Sequence, residues 1–427
     1  FAIEYIDLQT SAHLDIRLLL LAGNPSFSQS NIEMGGRLQI DHISYFDEMP
    51  NKVNSRNEGF LQVELQSVKG AANQWKAVTE LREDLSDKSR NRVWMDELWV
   101  KHSVGKFDFT VGKQLINWGT TDGMNPVNNI NPIDYSDLLD TDDERIGVYG
   151  LRTQLFLNAF DIDLFWSPIP VTGKMPNLNS RWFPSAEMMG IPVQLLQSGV
   201  ALSINDNPPA LKVNDGEIAL RIRKQLSGFD MALSYFNGYD HLPEYTLDAS
   251  GMALASLQLV LQSEYRRLQV MGVEMAFTLP AGIGLRGESA LFIPEKGTAA
   301  NDSYLQTVVG IDKSVSFGSS SLLLIAQYIY DYNIEGNEYA KFDVRHLFKN
   351  SLMANAEWSM NNGWAFNFVG VYNMDSEDFY LKPELSYTTA TGIKLIARAN
   401  ILEGPKESFF GSYTTNDRVQ VKVEYRF

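Results

Sequence analysis

The final ten residues, Arg418 to Phe427, alternate without a break between polar and apolar side chains. In an extended strand this puts Val419, Val421, Val423, Tyr425 and Phe427 on one face and Arg418, Gln420, Lys422, Glu424 and Arg426 on the other. The first face suits lipid or a dry core, and the second suits water. A soluble sandwich strand has the same period, so the rest of the chain decides between the two. Strand-like alternation recurs from about Ile32, over 32–47, 57–69, 73–84, 92–103, 106–114, 144–157, 159–168, 215–227 and 229–238. It continues over 264–279, 283–293, 303–316, 319–333, 348–360, 364–374, 377–389, 391–402 and 415–427.

The connections between these segments fall into two classes that take turns. Tight ones centre on Gly105, Asn158, Gly228, Gly282, Gly318, Gly363 and Ala390, most of them hairpin turn chemistry. Long ones lie between them, including 115–143, 169–214 and 239–263. Short turns on one side and long loops on the other are the rule of an outer-membrane barrel. The expected fold is therefore all-β, a transmembrane antiparallel β-barrel of about eighteen strands, with sixteen to twenty allowed, long outer loops and short periplasmic turns. Aromatic residues near strand ends, among them Phe160, Trp166, Phe229, Tyr235, Trp364, Tyr387, Tyr425 and Phe427, match interfacial girdles. Pro383 inside a strand costs a ladder bond and counts against continuous pairing there. The terminal Phe427 reads as a barrel-assembly signal.

Composition narrows the function classes. The chain of 427 residues has no Pro/Ser-rich linker or charge block that divides it, so residues 32–427 read as one barrel domain. Residues 1–31 read as an N-terminal segment, periplasmic or supplying an extra strand. No apolar run is long enough for a spanning helix; Leu18 to Gly23 is the longest and has no basic n-region before it. Cysteine is absent, which removes disulfides and thiolate metal sites. A net charge of −16, with no basic face, argues against nucleic acid. The 5 histidines, His13, His42, His102, His241 and His346, sit in no nucleophile motif, and no phosphate-binding glycine loop occurs. No catalytic residue and no enzymatic activity are expected.

The densest motif runs from Gly112-Lys113-Gln114 through Trp118-Gly119 and Asp122 to Asn125-Pro126, Asn131-Pro132 and Asp134. It closes on Asp142, Asp143, Glu144 and Arg145. A strand ending in GKQ, then WG, an acid, an NP-and-D segment and an acidic cluster resembles a family of porin-like outer-membrane barrels with a domain of unknown function, distantly akin to alginate-export barrels. The likeness covers 105–168 and, more loosely, 378–427. It implies a barrel that passes or exports something, and no particular substrate.

Asn, Asp, Pro and Gly fold such a loop onto itself by Asx turns and restricted φ angles. Loop 115–143 is therefore an ordered segment that either constricts the lumen or forms a solvated surface loop. Its candidate residues are Trp118, Asp122, Asn131, Asp134, Asp137, Asp140, Asp142, Asp143, Glu144 and Arg145. No cofactor is expected; Ca²⁺ on these acids is the one metal reading, although their spacing is not that of an EF-hand. Loop 169–214, rich in proline and carrying Met188, Met189, Ile191, Val193, Leu195 and Leu196, reads as a plug or lid with a helix near 185–198.

Pleat parity places Arg221, Arg223, Lys382, Lys394, Arg398, Arg418, Lys422 and Arg426 inward as a basic wall, and Asp161, Asp163 and Asp230 inward on another sector. Opposed walls would set a transverse field; the competing reading is neutralisation between neighbouring strands, as by Glu384 and Glu424. The expected function is an outer-membrane porin-like channel of a Gram-negative bacterium, for passive passage of small polar or anionic solutes or for polymer export. The second reading is a structural or conduit subunit of an envelope complex with a plugged lumen. Expected partners are outer-membrane lipid and lipopolysaccharide, with periplasmic or envelope proteins for the second reading.

Overall fold

The computed structural model describes residues 32–427, apart from 51, 69, 141–144, 186, 187, 190, 192, 193, 195–198, 211, 213, 214, 249–257, 296–301 and 338–342. The barrel strands in the first half are β1 (Ile32–Tyr45), β2 (Ser55–Ser67), β3 (Asn73–Asp84), β4 (Arg92–Val104), β5 (Phe107–Gln114), β6 (Val148–Phe156), β7 (Asp161–Ser167), β9 (Glu217–Leu226) and β10 (Phe229–Tyr239). Those in the second half are β13 (Arg267–Leu279), β14 (Ile283–Pro294), β15 (Tyr304–Phe317), β16 (Ser320–Asn333), β17 (Asn350–Ser359), β18 (Trp364–Asn373), β19 (Asp378–Thr388), β20 (Ile393–Glu403) and β21 (Arg418–Arg426). These eighteen pair antiparallel in chain order. The ring closes where β1 meets β21, from Arg37 opposite Arg426 to Tyr45 opposite Arg418. Gly36 and Phe427 exchange backbone hydrogen bonds of 3.0 and 3.1 Å at the end of that seam.

Closure follows from the solvent the wall is built for. Hydrocarbon offers no partner to an unpaired N–H or C=O, so a sheet spanning it must have no edge. The side chains obey the same demand. In β21, Arg418, Gln420, Lys422 and Glu424 are buried inside the barrel, while Val419, Val421, Val423 and Tyr425 are exposed on its outer surface. At the short-turn end that surface carries Phe107, Phe156, Phe277, Phe317, Trp358, Trp364, Tyr425 and Phe427, and toward the long-loop end Tyr330, Tyr332 and Tyr372. A tilted contact between Trp364 and Tyr387 at 4.9 Å and stacking between Phe229 and Phe277 at 4.5 Å continue the first ring across neighbouring strands.

The eighteen segments read from the sequence reappear as these eighteen strands in the same order. Their edges differ where local hydrogen bonds compete with the ladder. β6 starts at Val148 because Arg145 is drawn into a bridge with Ile133, and β21 starts at Arg418 because Thr414–Asn416 form a 3-10 turn. Pro383 stays within β19; pairing to β20 lapses at 382 and 383 and resumes at Glu384 opposite Arg398 in the same register. Three further strands were not expected: β8 (Ala201–Asn205), β11 (Glu244–Asp248) and β12 (Gln258–Glu264) form a separate small sheet built from two long loops. Residues 1–31 and most of the helix expected near 185–198 lie outside the described residues.

Val421 lies in the middle of β21 on the outer face. Val421→Arg should cost about 2–4 kcal/mol in lipid vesicles, as arginine does near a bilayer midplane, measured by urea unfolding. Unchanged stability would place that face in water.

Candidate functional site

Residues 115–140 leave β5 and run through the inside of the barrel, and 145–147 lead into β6. Asn131 ties the neck: its Oδ1 accepts from Ile116 N–H at 2.7 Å, and its Nδ2 donates to the carbonyls of Ile146 at 2.8 Å and Gln114 at 3.3 Å. Asn125 Nδ2 donates to the Trp118 carbonyl at 2.9 Å, and Asn128 Oδ1 accepts from the Trp118 N–H at 3.4 Å. These are the local side-chain to backbone bonds that make Asn a loop former. They set Trp118 among Ile116, Val127 and Ile130, packed on inward Val148, Phe165, Phe236, Val270 and Phe292. The indole Nε1 reaches Asp163 at 3.2 Å.

The tip crosses to the far wall. The N–H groups of Thr120 and Thr121 both donate to Glu288 Oε1 on β14, and Arg286 Nη1 donates to the Thr120 carbonyl at 3.0 Å. Arg286 also sits 3.4 Å from Asp122 and 3.0 Å from Asp312 on β15. Gly123, at φ 84°, lies so close to β17 that a Cβ there would come within 2.5 Å of the Met353 sulfur. Burial pushes the Asp122 carboxyl above the ordinary carboxylate range; Arg286 works against the shift, and Asp312 and Glu357 add to it.

The returning arm is held by ion pairs. Asp134 meets Arg92 at 2.9 Å and Lys174 at 3.6 Å. Asp137, 1% exposed, lies between Arg56 at 2.5 Å and Arg418 at 2.7 Å. Asp140 meets Arg82 at 3.3 Å and Arg90 at 3.4 Å. Burial alone would raise the Asp137 carboxyl, but Arg418, Arg56 and Arg90 overcome it and hold the group well below the usual range. Asp140 is lowered for the same reason, chiefly by Arg82 against its burial. The arginines are shared in turn with Glu58, Glu80 and Asp84 on β2 and β3. Leu139 then enters a second apolar cluster with Trp182, Val371, Leu402, Phe410 and Tyr413. The loop thus rests on both sides of the lumen.

Residues 178–182 cover the rim beside the β1–β21 seam. Arg181 stacks over Tyr45 at 4.2 Å, donates to Asn54 Oδ1 at 2.7 Å and to the Asp47 carbonyl at 2.9 Å, and reaches Asn416 at 3.1 Å. Lys52 Nζ in turn donates to the carbonyls of Leu178 and Ser180.

The residues singled out as a basic wall are mostly neutralised. Arg398 pairs with Glu384 at 2.7 Å, Arg221 with Glu274 at 2.6 Å, Arg426 with Glu424 at 2.7 Å, and Arg418 with Asp137. Lys422 is buried, and Lys382 and Lys394 are half-buried. The expectation that Asp161, Asp163 and Asp230 lie on another sector fails for two of the basic residues, Arg221 and Arg223. Asp161 stands opposite Arg223 and Asp163 opposite Arg221, because β7 pairs directly with β9 once β8 leaves the wall. Asp230 is on the next strand, β10, opposite Gln225. Asp163 also binds Arg152 at 2.8 Å. Acids and bases thus alternate on this sector, while Lys382, Lys394, Arg398, Arg418, Lys422 and Arg426 lie on β19 to β21, about half-way round the ring.

Asp142, Asp143 and Glu144 lie outside the described residues, and Arg145 stands beside them in the Ile133 bridge. Among the described residues no group of three or more acids and histidines could hold a metal ion. The carboxylates of Asp134, Asp137 and Asp140 face guanidinium and ammonium groups, an arrangement that competes with Ca²⁺. Sequence reasoning missed their partners Arg56, Arg82, Arg90 and Arg92, as well as Arg286 and Glu288. The signal was present: Arg56/Glu58 and Glu80/Arg82/Asp84 put charge at every second position, the inward parity.

An even-stranded closed barrel with a dry outer face and a loop threaded into its interior defines a porin-like outer-membrane barrel. Outer-membrane porins of known structure share this fold. OccAB4 of Acinetobacter baumannii aligns with TM-score 0.52 and 11% identity over 95% of this chain and 100% of that one. OccK11 (OpdR) of Pseudomonas aeruginosa aligns with TM-score 0.50 and 9% identity over 93% and 95%. The chain belongs to the DUF1302 family, described as a protein of unknown function, whose model matches residues 29–294. No curated protein matches the sequence significantly.

Removing one partner of a buried ion pair leaves the other charge stranded, typically at about 3–5 kcal/mol. Asp137→Ala should therefore free the returning arm while the wall stays intact. Limited trypsin digestion of the folded barrel should then cut at Arg145, where the unsubstituted protein resists; equal resistance would show that the pair does not hold the loop.

Proposed function

We propose that the protein is a diffusion channel of the outer membrane of a Gram-negative bacterium, passing small polar solutes through a lumen that loop 115–147 narrows. The observation that carries this reading is the loop itself. It is anchored on opposite walls, and its tip brings half-exposed Asp122 against half-exposed Arg286 of β14. Binding without transport would not need polar groups open to solvent inside the wall. Passage is passive, since a channel of this kind takes its driving force from the solute gradient.

A preference for anions has little support. The inward arginines that would attract them are paired with carboxylates at hydrogen-bonding distance, and a neutralised pair attracts ions of either sign only weakly. The second reading, a conduit subunit with a closed lumen, is favoured by one observation: two apolar clusters seal the loops to the wall, one around Trp118 and one around Trp182.

Planar-bilayer recording separates the two. The channel reading expects discrete conductance steps in KCl, and Asp137→Ala should give larger or noisier steps as the loop loosens. A barrel that is folded, inserted and silent in both forms would favour the conduit. Charge reversal at Lys394 and Arg398 should move the reversal potential in a salt gradient by only a few millivolts if pairing dominates; a large shift would restore the basic wall.

A further inference from the structure

The tip of loop 115–147 and the inner faces of β14 to β17 leave one patch that is rich in buried acceptors. Several of its donors are engaged inside the protein. The Thr120 and Thr121 N–H groups go to Glu288, and the Arg286 guanidinium is divided among the Thr120 carbonyl, Asp122 and Asp312. Asn355 Nδ2 donates to Glu357 Oε1 at 3.0 Å. Three buried oxygens here have no partner among the described residues. Gln327, only 4% exposed, keeps an unpartnered Oε1, and a Cβ on Gly123 would lie 3.4 Å from it, so that oxygen faces the loop tip. Asn355 Oδ1 and Glu288 Oε2 are likewise buried and unpartnered. Asp122 and Asp312 flank the Arg286 guanidinium, and Glu357 adds a further carboxylate near Asp122.

Buried acceptors left unpaired are costly, and a native site normally satisfies them. A complementary solute brings donors and no acceptors, and it brings positive charge. A primary ammonium has three donors and no acceptor, whereas a hydroxyl brings both and a carboxylate brings only acceptors. We infer that this patch is a binding subsite for the ammonium group of an alkylamine solute. The Gln327 and Asn355 oxygens accept hydrogen bonds from its N–H groups, and Asp122 and Glu357 balance its charge. The inference rests on the channel reading and gives it a solute class.

The test uses the full chain and 1,4-diaminobutane as the probe, with mannitol as a neutral polyol and acetate as an anion. In planar bilayers the diamine should interrupt KCl current in a concentration-dependent way, and mannitol and acetate at equal concentration should not. Glu357→Gln, at an exposed position, and Gln327→Leu should each raise the half-blocking concentration about tenfold. Calorimetric titration of the detergent-solubilised barrel reads binding without conduction. Diamine binding to a silent barrel would support the subsite and overturn the channel. Current that neither variant protects from the diamine would overturn the subsite and leave the channel standing. Equal block by mannitol would overturn the ammonium assignment in favour of a polyol.

Discussion

The position of Asp137 between Arg56 and Arg418 is the interaction on which the interior depends. A membrane barrel sends every second side chain inward, and this chain sends charges. Arg418 is 1% exposed and Asp84 beside Arg56 is fully buried, so none of these groups has water to fall back on. A carboxylate delivered from the loop compensates two guanidinium groups from opposite ends of the strand order, one on β2 and one on β21. Buried polar networks of this kind reward complete pairing and punish partial pairing. With Asp137 seated, Asp134 and Asp140 come within reach of Arg92, Arg82 and Arg90, and the loop tip is delivered to Glu288 on the far wall.

The interior is not uniformly polar. Inward positions on β6, β7, β10, β13 and β14 include Val148, Phe165, Phe236, Val270 and Phe292, because they cover the buried Trp118 and Ile116. Inward positions on β2, β3, β4 and β21 are charged, because they face the acids of the returning arm. The loop has two chemically different arms, and the wall behind each one matches it. Half of the loop is a hydrophobic core element and half is a counter-ion.

Much of the wall was legible in the chain. Period-two alternation and Gly-centred turns, such as Gly105 at φ 61° and Gly228 at φ 74°, mark strands by physics that acts between neighbours in sequence. The site was legible in part. Asn125, Asn128 and Asn131 announce an ordered loop because their bonds stay within it, 7 to 17 positions along the chain. The ion pairs of its acids do not. Asp137 and Arg418 are 281 positions apart, and whether Asp163 opposes or adjoins Arg221 depends on which strand sits beside β7. The short strands β8, β11 and β12 escaped because strands of five to seven residues inside proline-bearing loops carry too few alternations to stand out.

The β1–β21 seam also gives the loop a place in time. Arg418 lies on the strand that completes the ring, so one of the two guanidinium groups that hold Asp137 is missing until that strand has paired with β1. A loop already held by Arg56 on β2, Arg82 on β3, Arg92 on β4 and Glu288 on β14 thus gains its last guanidinium only as the last edge disappears. Closure of the cylinder and completion of the charge network inside it share one residue of the final strand.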